Sequence, residues 1–197
     1  MTQESDCFTQ SSRWSPREVE FLTVTLELLQ EHGYDRLTVD AVAAAARASK
    51  ATVYRRWPSK SQLVLAAIID NVCESAAPPD TGTLRGDLLR LGKMICEEAC
   101  RHAGTIRAVG VEMYRNPALN EVVQQHFVDQ QREVIQHVLQ RAADRGEIKT
   151  AVVDDDLSDL LSGYLVYRCV IATRPPTQRS MRAFIDGVVI PNLTRTS

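Results

Sequence analysis

The chain is predicted to be all-α. Three observations lead there: apolar residues recur at helical spacing, no stretch alternates as a strand does, and polar caps precede the periodic runs. Short helices separated by tight joints come first, and longer helices come after the linker APPDTG at 77–82. The organisation read from this is a polar tail over 1–14, a small three-helix domain over 15–60 and a larger helical domain over 61–197, with a fourth helix running on from 59. At 197 residues the chain can bury a core of that extent.

Each element has its own signal. Ser15 can cap the first helix, with Pro16 at its first position and Glu18 completing a capping box. Val19, Leu22, Leu26 and Leu29 form its stripe, and Gly33 can close it in a left-handed cap. Thr38 caps a second, short helix, VDAVAAAA, and Ser49 a third, KATVYRRW. Pro58 breaks the third, and Ser59 with Gln62 starts the fourth. Further on, Leu84, Leu88, Leu91 and Ile95 make an apolar stripe, and a further helix covers about 106–115. Pro117 opens a long helical run stopped by Gly146. Asp154, Asp155 and Asp156 suit a helix N-terminus; that helix ends before Pro175 and Pro176, and TQRSMRAFIDGVVI is the last.

Composition narrows the function. No run of about 18 apolar residues spans a bilayer, and the N-terminus lacks the apolar core of a secretory signal. Five cysteines without paired spacing suit reduced thiols, so a cytoplasmic protein is expected. A net charge of −2 argues against coating nucleic acid all over. Positive charge is instead local: Lys50, Arg55, Arg56 and Lys60 surround Tyr54 and Trp57, with no acid between Asp40 and Asp70. Helices two and three are about two turns each, too short to persist alone. Held across the joint Arg47-Ala48-Ser49, with Val42, Ala46 and Val53 buried, they form a helix-turn-helix whose second helix can lie in a major groove.

The run Thr38-Val39, Val42-Ala43, Ala46, Ala48-Ser49, Tyr54, Trp57, Lys60, Leu63 resembles the DNA-binding signature of TetR-family transcriptional regulators, over roughly residues 15–65. The segment from Arg141 to Arg168 is similar to the ligand-domain text of one branch of that family. The resemblance implies a palindromic operator bound by a homodimer and released by a small molecule, with no cofactor and no catalysis.

Residue types then suggest roles. Lys50, Ala51 and Thr52 open the third helix, whose N-terminal residues reach base edges; Lys50 can donate to guanine O6 or N7. Tyr54 resembles the family's phosphate-contacting tyrosine, and Arg55 or Arg56 can grip a backbone oxygen. Thr38, Ser49 and Lys60 stand at helix starts, where a hydroxyl or ammonium joins free N–H groups to hold phosphate. Sequence choice is expected from Lys50, Thr52 and Arg55. Trp57 is expected to plug the core. Arg47 departs from the family's glycine; either the turn is remodelled or Arg47 recovers the cost by touching phosphate.

In the larger half, Leu157, Leu161 and Leu165 and, on the last helix, Met181, Phe184, Ile185 and Val188 cover more than one stripe, which suits a four-helix dimer interface. Candidate pocket residues are Met94, Ile95, Met113, Tyr114, Phe127, Tyr164, Tyr167 and Arg168, the last requiring an anionic or carbonyl partner. Cys96, Cys100 and His102 form C-x3-C-x-H, but no fourth ligand is evident and no metal is assigned. The rivals are a DNA-binding dimer without an effector and an all-α enzyme; no nucleophile elbow, phosphate-cradling glycine loop or zinc-spaced His-Glu pair supports the enzyme.

Overall fold

The computed structural model describes residues 14–72, 77–149 and 155–195, and every regular element within them is helical. Residues 1–13 of the expected tail, and Asp154, lie outside the described residues. Helix α1 (Pro16–Arg36) starts on the expected capping box. Ser15 Oγ accepts from the Glu18 N–H at 3.3 Å, and Glu18 Oε2 accepts from the Ser15 N–H at 2.8 Å. Gly33, at φ 77° and ψ 171°, kinks this helix rather than ending it, and one more turn intervenes before Leu37.

Helices α2 (Val39–Ala45), α3 (Lys50–Arg56) and α4 (Lys60–Val72) begin where the caps indicate. Thr38 Oγ1 accepts from the Ala41 N–H, Ser49 Oγ from the Thr52 N–H and Ser59 Oγ from the Gln62 N–H. Between α2 and α3 the turn is not remodelled. Arg47 itself takes the left-handed conformation, φ 50°, at a cost of roughly 1–2 kcal/mol for a side chain other than glycine. The Ala48 N–H donates to the Ala43 carbonyl at 2.8 Å and the Arg47 N–H to the Ala44 carbonyl at 3.1 Å, which is the Schellman closure. From α1, Arg17 donates to the Ala46 carbonyl at 2.7 Å, fixing the turn to the first helix.

Packing supplies what two-turn helices lack. Val42 and Val53 are fully buried, and Trp57 lies edge-on to Phe21 with centroids 6.0 Å apart, so it fills the core as expected. Each such apolar side chain is worth about 1.5–3 kcal/mol of burial. The same cluster continues through Leu63 and Ala67 of α4 into Val109 and Leu119, so the small domain is not sealed from the rest.

The larger half holds α5 (Leu84–Arg101), α6 (Ala103–Met113), α7 (Pro117–Val123), α8 (Gln130–Asp144), α9 (Asp155–Val166), α10 (Gln178–Phe184) and α11 (Ile190–Arg195). Three π-turns, Gln124–Asp129, Tyr167–Ile171 and Ile185–Val189, join α7 to α8, extend α9 and join α10 to α11. Gly146, φ 75°, ends α8 as expected. The stripe of Leu84, Leu88, Leu91 and Ile95 meets Ile135, Val138 and Leu139 in a second core. Leu161, Leu165, Met181 and Ile185 belong to that core and are 0–7% exposed. Their sequence pattern assigns these four to a subunit interface; the structure instead encloses them in the protomer, because α5 covers the stripe they share. Val188 stays exposed and Phe184 half-exposed, while the Leu157 side chain lies outside the described residues.

A buried acid locks this half together. Asp87 is 0% exposed, accepts from the Thr81 N–H at 2.6 Å and hydroxyl at 2.8 Å, and receives Arg145 at 3.1 Å. Burial works against its charge, but the Thr81 hydrogen bonds and Arg145 outweigh it and hold its pKa below the ordinary value. A depressed folded pKa contributes stability above the unfolded pKa and loses it as pH falls through the folded one. Asp87→Asn should therefore cost about 1–3 kcal/mol near neutral pH, with the difference from the parent shrinking as pH drops below about 4. Urea denaturation across that range checks it, and a pH-independent difference would contradict the assigned charge.

Candidate nucleic-acid interface and cavity

The groups expected to read DNA stand at the starts of α2, α3 and α4, each start fixed by its cap. On α3, Ser49, Lys50, Ala51, Tyr54 and Arg55 are exposed and Thr52 is half-buried, its hydroxyl 2.8 Å from that of Ser49. Val53 and Trp57 take the opposite face into the core. Thr38 and Arg47 are exposed on the flanks. A short rod is thereby held by its apolar back with its polar front toward solvent.

The positive charge is less uncompensated than the sequence suggests. Lys50 Nζ lies 2.8 Å from Asp40 Oδ1 and 2.9 Å from Oδ2, and the hydrogen bond to Asp40 raises the Lys50 pKa. Arg56 pairs with Glu18 and lies over the Trp14 ring at 4.8 Å, so it faces α1. Lys60 donates to the Tyr34 carbonyl at 2.8 Å and sits over the Tyr34 ring at 4.2 Å; in this state its ammonium serves the α1–α4 contact. Arg55 has no hydrogen bond or ion pair among the described residues. Successive helical side chains point roughly 100° apart: Arg56 turns toward Glu18 and Trp14, and Arg55 turns away from them to solvent. Asp40 and Glu18 are not evident as partners in the sequence because both lie upstream of the basic stretch rather than within it.

A second feature lies in the larger half. A cavity of about 520 Å³ opens between α4, α5, α6, the α7–α8 run and α9. Its lining is mostly apolar and includes Ile95, Met113 and Phe127 from the expected set, with Ile68 from α4. The other expected residues stand elsewhere. Tyr114 is 95% exposed, Tyr167 is exposed, and Tyr164 stacks on Phe184 with centroids 4.0 Å apart. Arg168 donates to the Arg174 carbonyl at 3.0 Å and the Tyr164 hydroxyl at 3.2 Å, so a carbonyl and not an acid meets its need. Met94 is half-buried and does not line the cavity.

Polar groups unforeseen from the sequence mark the cavity wall. His102 is 6% exposed; its Nδ1 has no hydrogen-bond partner, and its Nε2 lies 2.8 Å from Glu98 Oε1 without the alignment of a hydrogen bond. A buried ring nitrogen without a partner is costly unless something enters to meet it. Arg132 grips Asp159 through two hydrogen bonds, 3.0 and 2.6 Å, and this half-exposed pair stands among the lining groups. His102 therefore belongs to the cavity; the sulfur that joins Cys96 and Cys100 is that of Cys169.

A short exposed recognition rod on a three-helix unit, packed on an α-helical body with its own cavity, defines a helix-turn-helix DNA-binding regulator. Residues 21–67 match the family model for bacterial regulatory proteins of the tetR family, and residues 78–188 match the tetracyclin repressor-like C-terminal domain. The chain is 62% identical over 197 residues to an uncharacterized HTH-type transcriptional regulator of Mycobacterium tuberculosis, covering 100% of this chain and 98% of that protein. It is 32% identical over 185 residues to the DNA-binding transcriptional repressor TetR of Mycobacteroides abscessus, covering 91% and 95%. Among solved structures, the TetR family transcription regulator SCO0332 superposes with a TM-score of 0.63 at 28% identity, covering 89% of this chain and 97% of that one. The chain belongs to the TetR family of transcriptional regulators, as its helix-turn-helix text indicated. Among the described residues no helix is long and apolar enough to cross a membrane.

The Lys50–Asp40 pair carries a consequence for binding. A duplex approaching Lys50 would have to take the ammonium from a carboxylate that also repels phosphate. Asp40→Asn is expected to raise affinity for duplex DNA a few-fold in fluorescence anisotropy; unchanged affinity would show that Asp40 does not compete.

Proposed function

We propose that the protein is a dimeric, ligand-released repressor of transcription. The carrying observation is the division of α3: Val53 and Trp57 anchor it while Lys50, Ala51, Tyr54 and Arg55 face outward. On this reading Lys50, freed from Asp40, and Thr52 choose bases, with Arg55 supplying phosphate grip and a share of the choice. Tyr54, Thr38, Ser49 and Arg47 hold phosphates and set register. Lys60 joins them if the approaching phosphate draws it from the Tyr34 carbonyl.

Pairing falls to the outer faces of α9 to α11, which present Gly187, Val188 and the stacked Tyr164 and Phe184 rather than the buried leucines. A Cβ at Gly187 would meet nothing within 4 Å, which leaves room for a second copy's backbone. Two copies would set their α3 helices about 34–36 Å apart, one turn of duplex.

The effector reading rests on the cavity. About 520 Å³ with mainly apolar walls suits a molecule with an apolar body and one hydrogen-bonding group directed at His102. Contacts that link the cavity wall to the small domain support a route to the reader. Ile68 of α4 and Met113 of α6 line the cavity; beside them, Asn116 donates to Ser61 at 3.2 Å and Ser61 lies 2.8 Å from the Tyr34 hydroxyl. Gln30 of α1 donates to Thr105 of α6 at 3.0 Å. A ligand that favours another packing of α4 and α6 shifts the recognition helices, and operator DNA weakens ligand binding reciprocally.

Selection of bound fragments from random duplexes tests the reader and the dimer together. An enriched two-fold-symmetric site is expected, and no enrichment overturns the reading. Against that site, Lys50→Ala should relax preference at particular bases by about 1–3 kcal/mol. Arg55→Ala should mainly lower affinity for all sequences and reduce the salt slope by about one.

The effector is tested by monitoring operator release with a panel of apolar compounds bearing one hydroxyl, carbonyl or carboxylate. His102→Ala should raise the half-maximal dose of an active compound about tenfold, the weight of roughly one hydrogen bond. Affinity untouched by every compound would favour a DNA-binding dimer without an effector.

A further inference from the structure

Cys96 and Cys100 lie one turn apart on α5, and Cys169 comes from the π-turn that extends α9, 73 positions beyond Cys96 along the chain. The three sulfurs all lie within 4.8 Å of one another, and the Cys96 and Cys169 sulfurs are 3.4 Å apart. Three thiols gathered this closely are not what packing of small side chains requires. Ala99, beside them on α5, fills the same layer with Val170 and needs no sulfur to do so. We propose that Cys96, Cys100 and Cys169 form a three-thiolate site for one soft, thiophilic metal ion.

The dimensions fit. With metal–sulfur bonds of about 2.3 Å, a trigonal ion needs sulfurs about 4.0 Å apart, inside the span this cluster shows. Thiolates select soft ions over magnesium or calcium. Among the described residues no His, Asp or Glu joins the three sulfurs as a fourth ligand. That favours three-coordinate binding, or four-coordinate binding completed by water on the Cys100 side, where the cluster is exposed. Burial pushes the Cys96 and Cys169 thiols up, so these two keep their protons until an ion enters. Binding is an exchange without redox change: each S–H proton that a ligating sulfur carries passes to buffer as its sulfur–metal bond forms. The site adjoins the cavity, whose wall includes Ile95, Glu98, Ala99 and Val166 of the same two helices. An ion drawing α5 against the end of α9 would narrow that wall.

The test uses the full chain, reduced and oxygen-free, carrying Cys7→Ser and Cys73→Ser so that the three cluster thiols remain. It is titrated with Cd(II) while the thiolate-to-metal charge-transfer band is monitored. One Cd(II) per protomer is expected, with all three thiols protected from alkylation. Cys100→Ser, at an exposed position that should leave folding intact by circular dichroism, should weaken binding by at least about 100-fold, the upper end of what outer-shell losses alone cost. Cys169→Ser should abolish the three-thiolate band. Equal affinity for parent and Cys100→Ser, or binding by the folded chain no tighter than by the chain in urea, would overturn the site.

Discussion

Everything in the reader depends on a helix that could not exist alone. At seven residues, α3 is below the length at which backbone hydrogen bonds repay nucleation. It stands because Val53 and Trp57 are driven into a cluster with Phe21, Leu22 and Leu63. Its angle to α2 is set by one left-handed residue, Arg47, whose strain is held by the Ala43 and Ala44 carbonyls and by Arg17 on the Ala46 carbonyl. The outward direction of Lys50 and Arg55 results from that packing rather than from their own chemistry.

The charges show how a mildly acidic protein maintains a local cationic face. Arg56 is tied to Glu18 and Trp14, and Lys60 to Tyr34, so two of the four cations brace the domain. Lys50 is held by a single exposed carboxylate, an arrangement that phosphate can compete with because surface pairs in water are weak. Arg55 is exposed and has no such tie among the described residues. Residues that look alike in the one-dimensional text are thus divided between those tied to the domain and those left facing solvent.

In the larger half the π-turns matter more than their length suggests. Each adds a residue to a helical turn and rotates the next stretch of helix relative to the preceding stripe. The first carries Phe127 and Val128 to the cavity wall, and the second carries Cys169 to the sulfurs of α5. Helix α5 faces three ways at once. Leu84, Leu88 and Leu91 enter the core, Glu98 and Ala99 meet the cavity, and Cys96 and Cys100 meet the second π-turn. The acid node at Asp87 and Arg145 fixes the start of α5 to the end of α8, which leaves its other end to carry both the cavity wall and the thiols.

The features that the sequence determined by itself were local: the caps at Ser15, Thr38, Ser49 and Ser59, the stop at Gly146, the all-helical class and the place of the helix-turn-helix. Short-range hydrogen bonds and 3.6-residue periodicity fix these, and both are written in neighbouring residues. Tertiary structure decided which stripe is core and which is surface. Leu161, Leu165, Met181 and Ile185 look like interface residues until α5 is seen to cover them. It also decided which polar residues meet: Asp40 with Lys50, His102 with a cavity, and Cys169 with two cysteines far behind it in the chain. Such meetings depend on helix rotation and on π-turns, whose energies are small sums over the whole fold, and no single stretch of sequence contains them.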